Sequence, residues 1–182
     1  SDREQNLVYQ DLLKKADQLK TEIVHGLPTL CICGAYQLLG KYYRSFDGNI
    51  MQGLGFFDFY TEGRKERLIG NILIESEVVD GQTVVGFENH GGRTYLTDPS
   101  LKPFGRVIKG YGNNGEDRQE GIYYENLIGT YLHGPLLPKN PRVADFFIKT
   151  MFARRGITII NQLDDAIENM AHEQVKRKIL AK

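Results

Sequence analysis

Cysteine is scarce in this sequence: there are two, Cys31 and Cys33, separated by one residue in the stretch TLCICGAYQLLG. On one strand face, thiols at that spacing would strain any disulfide between them, and two adjacent cysteines cannot staple a domain. The expectation is therefore a reducing, cytoplasmic setting. No second Cys or His pair at metal-ligand spacing follows, so a structural zinc site is not expected. Net charge is absent too, with 23 Lys+Arg against 23 Asp+Glu. Without a basic excess to neutralise phosphates, nucleic acid is not an expected partner. No apolar run approaches the ~20 residues of a membrane helix, and the opening SDREQ has none of the charge and apolar blocks of an export signal.

What is present is an alternation of helical and strand patterns over 182 residues, enough for one domain with a sizeable core. Leu12, Ala16, Leu19 and Ile23 recur at helical spacing, so residues 7–24 are predicted as a helix. TLCI reads as a buried strand, and residues 34–43 as a helix with Leu38, Leu39 and Tyr42 inward. Stretches 67–78, 83–90 and 105–110 read as strands joined by Asp-Gly and Gly-Gly turns, and 113–117 as a polar loop. Residues 125–134 predict a buried strand ending at His133. Asn140-Pro141 predicts a helix start with an asparagine cap, followed by an apolar side of Val143, Phe146, Phe147 and Met151. A last helix is expected over 163–180 with a stripe of Leu163, Ile167, Met170, Ala171 and Val175. The order implies an α/β domain: three layers, a mostly parallel sheet flanked by helices. Such a domain ordinarily begins with a strand, whereas this sequence begins by leading into a helix.

A nucleophile on a sharp strand-to-helix bend needs small residues two before and two after it. Cys33 has Cys31 and Ala35 there, and Gly34 follows directly; Cys31 is followed by bulky Ile32. The bend therefore centres on Cys33, and Cys31 reads as a small buried hydrophobe. At a helix N-terminus the Cys33 thiolate should be favoured and its pKa lowered, and the Gly34 N–H is placed for half of an oxyanion hole. The bland alternative, two core cysteines, is the commoner fate of an arbitrary Cys-x-Cys-Gly. A base tips the balance. His25 lies in a turn, and His172 falls on a polar helix where exposure is expected. His133 ends a buried strand that opens on the same sheet edge as Cys33, with His90 as the competing base.

CGAYQLLG (33–40) resembles the nucleophile segment of class I glutamine amidotransferase domains in the branch related to cobyric acid synthase, with Ala35 in place of a usual glycine. GFENHGG (86–92) and YLHGPLL (131–137) are similar to two further segments of that branch, which implies that His133 is the base and His90 a neighbour. GRKERLIGN (63–71) and GYGNNGEDRQEG (110–121), with SDREQ, are most similar to the amidotransferase subunits of lipid II isoglutaminyl synthases. The resemblance spans essentially the whole chain, 1–182, and implies a flavodoxin-like class I amidotransferase fold, incomplete at its N-terminus. There SDREQ follows a Gly-Gly-Gly turn that supplies part of the oxyanion hole.

It further implies catalytic Cys33 and His133, an oxyanion donor at Gly34, and glutamine binding by Arg67 and Gln37. By chemistry alone Arg67 reads equally as a solvated member of RKER. The branch uses no metal or organic cofactor in this subunit. No Gly-rich loop ending in Lys-Ser/Thr is present, so ATP chemistry falls to a Mur-ligase-like synthetase partner in a heterodimer. Two residues after His133, where many relatives carry a carboxylate, stands Pro135, leaving a dyad or a carboxylate from elsewhere. The alternatives are an amidotransferase serving a cobyrinic-acid or other acid-amide synthetase, a stand-alone cysteine hydrolase, or a non-catalytic interaction module.

Overall fold

The two long alternating stretches of the middle region become the dominant feature of the computed structural model, which describes residues 2–158 and 163–181. Strands β4 (Phe59–Ser76) and β5 (Gln82–Leu96) pair antiparallel from Phe59↔Leu96 to Ser76↔Gln82, with a register shift between Gly63 and Leu68. Gly91 and Gly92 lie inside β5 rather than in the expected Gly-Gly turn. Where Ile72–Ile74 cross Val84 and Val85, both faces of the ribbon are apolar and both are covered. Ile72, Ile74 and Val84 join a core with Val143 and Phe147 of α5 (Pro141–Arg154). Leu73 and Val85, on the opposite face, pack on Ile179 and Val175 of α6 (Ala166–Leu180).

Before this ribbon come α1 (Asp2–Leu13) and α2 (Ala16–Val24), β1 (Thr29–Ile32), α3 (Gly34–Leu38), β2 (Tyr42–Arg44) and β3 (Ile50–Gln52). After it come β6 (Gly105–Lys109), β7 (Gln119–Glu120), β8 (Ile122–Tyr124), β9 (Leu127–Thr130) and the single turn α4 (Leu136–Lys139). One sheet has the order β1-β9-β8, and the other β3-β2-β4-β6-β7 with β5 on β4. The parallel pairing expected of the α/β order is found at β1–β9 and β2–β4. The other strand pairs among the described residues are antiparallel. The α/β class stands, and its mixed sheet comes from hairpin-like neighbours in the middle region.

Several local expectations change in three dimensions. The helix expected over 7–24 divides at Lys14 and Lys15, whose N–H groups bond three residues back to Asp11 and Leu12. Helix α3 stops at Leu38 instead of Tyr43, and Tyr42 enters a strand. The chain turns there because Gly40 lies directly against Phe59: a Cβ at Gly40 would fall 2.4 Å from the ring. Strand β9 ends at Thr130, three residues before His133. Helix α5 begins at Asn140-Pro141 as expected, yet Asn140 makes no side-chain cap. Its amide instead bridges Val85 N–H, Val85 C=O and Leu136 C=O.

The stripe expected on α6 faces outward at its start. Ile167 is 73% exposed and Met170 59%, and Leu163 ahead of the helix is exposed as well. His172, expected at the surface, is buried instead. Its Nε2 lies 2.9 Å from Thr83 Oγ1, and its Nδ1 2.9 Å from the Lys139 carbonyl and 3.1 Å from Asn140 Oδ1. A histidine that saturates both ring nitrogens inside the fold is as well housed as a leucine. No helix among the described residues is long and apolar enough to cross a membrane.

Candidate active site

Strands β1 and β9 run parallel in the register Thr29↔Leu127 to Ile32↔Thr130, so their carboxyl ends coincide. Cys33 is the next residue after β1, and its N–H donates to the Thr130 carbonyl at 2.9 Å. It then departs from extended geometry, at φ 53° and ψ −110°, and α3 starts at Gly34. Non-glycine residues avoid positive φ, so this bend holds the side chain in an orientation that a continuing strand would not give. This is the strand-to-helix bend read from the small neighbours of Cys33.

His133 is placed by a second strand. Its N–H donates to Phe87 C=O at 2.8 Å in an isolated antiparallel bridge, which joins the end of β9 to β5. Its Nε2 is buried and has no hydrogen-bond partner among the described residues. Arg67 approaches from the irregular stretch of β4, where its Nε and Nη2 donate to Asn89 Oδ1 and O at 2.8 Å each. The guanidinium is exposed yet fixed, and its charge reaches both Cys33 and His133.

These surroundings set the protonation states. Burial pushes the Cys33 thiol up from its ordinary value, against the smaller opposing effects of the Gly34 N–H and the Arg67 charge. The lowering expected from a helix N-terminus is thereby overturned. Helix α3 has only five residues, and its terminus does not outweigh desolvation of the thiolate. His133 is pushed down, first by burial and then by His90 and Arg67. Both shifts favour the neutral forms near pH 7, a thiol at Cys33 and an imidazole at His133. Cys31 packs in the core against α3, and burial alone pushes its thiol up to about 11. It is the inert member of the two.

The structure thus gathers Cys33, Gly34, His133 and Arg67 at one sheet edge. Gln37 lies elsewhere: it is buried one turn into α3, and its Nε2 donates to Tyr131 Oη at 3.0 Å. Tyr131 Oη also meets Thr94 Oγ1 at 2.7 Å, and Thr94 meets Thr61 at 2.8 Å. Gln37 therefore belongs to a polar layer under the bend. His90, the competing base, is buried with its Nδ1 2.7 Å from Gly92 C=O and its ring stacked 3.7 Å over Tyr131. Its Nε2 faces Glu88 Oε2 at 3.7 Å, while the two Glu88 oxygens accept the N–H groups of Tyr111 and Gly112.

Sequence reasoning passed over Asn89, which pins Arg67, and Glu120, a fully buried carboxyl bonded to Tyr131 N–H at 2.7 Å and Thr130 Oγ1 at 3.0 Å. The run GEDRQEG around Glu120 reads as solvated charge and gives no local signal of burial. Among the described residues, no group of three or more His, Cys, Asp or Glu side chains is arranged to hold a metal ion.

Known proteins share this arrangement of segments. A subunit of lipid II isoglutaminyl synthase (glutamine-hydrolyzing) from Staphylococcus aureus is 49% identical over 180 residues, covering 99% of this chain and 71% of that protein. Its counterpart from Streptococcus pneumoniae is 41% identical over 155 residues, covering 85% of this chain and 59% of that protein. A solved glutamine amidotransferase superposes with a TM-score of 0.57 at 14% identity, over 80% of this chain and 74% of that one, and so shares the class I amidotransferase fold. The profile of the CobB/CobQ-like glutamine amidotransferase domain matches residues 1–141, which contain the cysteine bend, the Arg67 strand and His133. By these matches the chain belongs to the CobB/CobQ-like glutamine amidotransferase family.

Proposed function

We propose that this chain hydrolyses L-glutamine at Cys33 and passes the ammonia to an ATP-dependent, Mur-ligase-like partner that amidates the D-glutamate of lipid II. The observation that supports the reading is that Cys33 and His133 both follow closely on the coincident ends of β1 and β9, within reach of the one Arg67 charge. The likeness to lipid II isoglutaminyl synthase subunits supports the acceptor.

Because thiol and imidazole rest neutral, attack begins with proton transfer. His133 takes the Cys33 proton as Sγ bonds to the side-chain amide carbon of glutamine. The Gly34 N–H, already directed at the cysteine, stabilises the oxyanion that forms. Collapse breaks the C–N bond, and the imidazolium returns its proton to the leaving nitrogen, giving ammonia and a glutamyl thioester. Water then attacks the thioester while His133 takes its proton, and the thiol is restored with release of glutamate. Arg67 supplies a fixed cation for the α-carboxylate of the substrate. Ammonia released into water at neutral pH becomes ammonium, which is not a nucleophile, so direct delivery to a partner's acyl phosphate follows from the chemistry.

The test is glutaminase activity of the full-length protein co-purified with its partner. Cys33→Ser should abolish ammonia release, and an unchanged rate in that variant overturns the dyad. Mass spectrometry of the co-purified protein tests the acceptor. A Mur-ligase-like chain supports the lipid II reading, whereas a cobyrinate-type synthetase replaces it with the runner-up.

A further inference from the structure

Beyond the last pair of β9 the chain leaves the sheet, and three successive N–H groups need partners: those of Tyr131, Leu132 and His133. An unpaired buried N–H is costly, so their partners define how the segment sits. The N–H of Tyr131 donates to Glu120 Oε1 at 2.7 Å. That of Leu132 donates to Thr130 Oγ1 at 3.0 Å, and this hydroxyl is itself held 3.0 Å from Glu120 Oε2. His133 N–H donates to Phe87 C=O. One carboxyl group, fully buried on β7, thus serves two of the three positions, one directly and one through a hydroxyl.

The same residue reaches the other half of the site. Thr130, whose side chain Glu120 holds, is the residue whose carbonyl accepts the Cys33 N–H. Cys33 and His133 therefore hang from one short segment, and Glu120 fixes that segment from behind without touching either side chain that reacts. No other side chain among the described residues contacts both Thr130 and Tyr131 through hydrogen bonds in this way.

We propose that Glu120 is a positioning residue of this active site, a clamp on Thr130 and Tyr131 that holds the Cys33 bend and the His133 imidazole in mutual register. The proposal rests on the reading of Cys33 and His133 as nucleophile and base. The clamp works through geometry, so glutamine at this position can replace it: an amide oxygen accepts from Tyr131 N–H, and an amide N–H donates to Thr130 Oγ1. Alanine can do neither, and it leaves two buried groups unpaired. A misplacement on the order of 1 Å between reacting groups costs about a hundredfold in rate.

The experiment compares Glu120→Ala and Glu120→Gln in the full-length protein. Glu120→Ala should lower kcat for glutamine hydrolysis about a hundredfold with KM within about twofold, since Arg67 and its anchor Asn89 are untouched. Glu120→Gln should recover most of that loss. A folded Glu120→Ala variant with kcat within twofold of wild type overturns the proposal. So does a Glu120→Gln variant as impaired as the alanine, because charge rather than hydrogen-bond geometry would then be responsible.

If Glu120→Ala does not fold, Thr130→Val keeps the carboxyl group and the side-chain volume while removing the hydroxyl joint. It should lower kcat at least fivefold, and an unchanged kcat is fatal to the clamp. A second readout separates this proposal from the assignment of glutaminase activity. Iodoacetamide alkylation of Cys33 at pH 7 should slow at least threefold in Glu120→Ala and recover in Glu120→Gln, whether or not wild type hydrolyses glutamine. A wild type without glutaminase activity but with this alkylation pattern removes the function and keeps the clamp; equal alkylation rates in all three proteins remove the clamp.

Discussion

The N–H of Cys33 donates to the carbonyl of Thr130 at 2.9 Å, one step beyond Ile32↔Thr130, the last parallel pair of β1 and β9. This bond ties the start of the bend to the end of the neighbouring strand. The two candidate catalytic segments are therefore aligned by the same ladder that builds the sheet, in keeping with the placing of sites at the carboxyl ends of parallel strands. The backbone places the pair, and the charges around it set its protonation.

The first prediction concerns Arg67. Its cation lowers the pKa of both Cys33 and His133, because it favours the thiolate and disfavours the imidazolium. Arg67→Gln should therefore shift the acid limb of the kcat/KM–pH profile and the alkylation profile of Cys33 upward together. KM for glutamine should rise in the same variant. An acid limb that stays fixed while KM rises would limit Arg67 to binding.

Much of this site was legible because its signals are local. The small residues around Cys33 and the glycine after it are consequences of the bend itself, and they sit within five positions of one another. The placement of His133 was legible as the end of an apolar stretch, although the regular strand stops at Thr130 and a bridge to Phe87 does the rest. Illegible features depend on partners far away in sequence. His172 is buried because Thr83, Lys139 and Asn140 meet it, and no pattern on α6 announces them. Ile167 and Met170 have helical spacing yet stay exposed, since periodicity shows that a helix has an apolar side and not that anything covers it. The burial of Glu120 is invisible for the same reason.

A second prediction addresses Gly86. It faces Leu132, and a Cβ built there would fall 2.6 Å from Leu132 Cγ and 2.9 Å from its Cβ. Leu132 is fully buried and immediately precedes His133, so it has nowhere to go. Gly86→Ala should cost about 1–3 kcal/mol in urea unfolding and lower kcat as well, because relief of the clash moves the histidine segment. Loss of stability with an unaltered kcat would show that the segment tolerates displacement.

Asn140 carries a third. Its side-chain amide pairs with the N–H and C=O of Val85, the C=O of Leu136 and the ring of His172. Asn140→Ala removes the side-chain partner of Val85 and Leu136 at once and one of the two Nδ1 partners of His172, and should destabilise the fold by about 2 kcal/mol. The effect should extend to α6, whose His172 loses a partner. Hydrogen exchange of the α6 amides should therefore speed up more than that of α2. Uniform acceleration across both helices would mean that Asn140 supports the whole fold rather than the attachment of α6.

The last prediction follows from the environment of Glu120. Burial raises its carboxyl to about 8 from an ordinary 4.5, and Glu88 adds to the shift, while Tyr131 N–H and Thr130 oppose it. The folded state therefore retains a proton that the unfolded chain gives up at about pH 4.5. Between these values the folded protein binds more protons, so stability falls as pH rises, at up to about 1.4 kcal/mol per unit. Below the window both states are protonated; above it both are ionised, and the full cost of a buried charge is felt. Glu120→Gln does not titrate. Its stability relative to wild type, measured by urea unfolding at each pH, should increase steadily from pH 5 to pH 8 and level off beyond. Titrating groups not coupled to Glu120 cancel in this difference, so the slope belongs to Glu120 together with its coupling to Glu88. A difference that stays flat across the window would mean that the clamp is ionised in the fold. Its bonds to Tyr131 and Thr130 would then outweigh desolvation, and the pH dependence of activity would have to be traced to Cys33 and His133 alone.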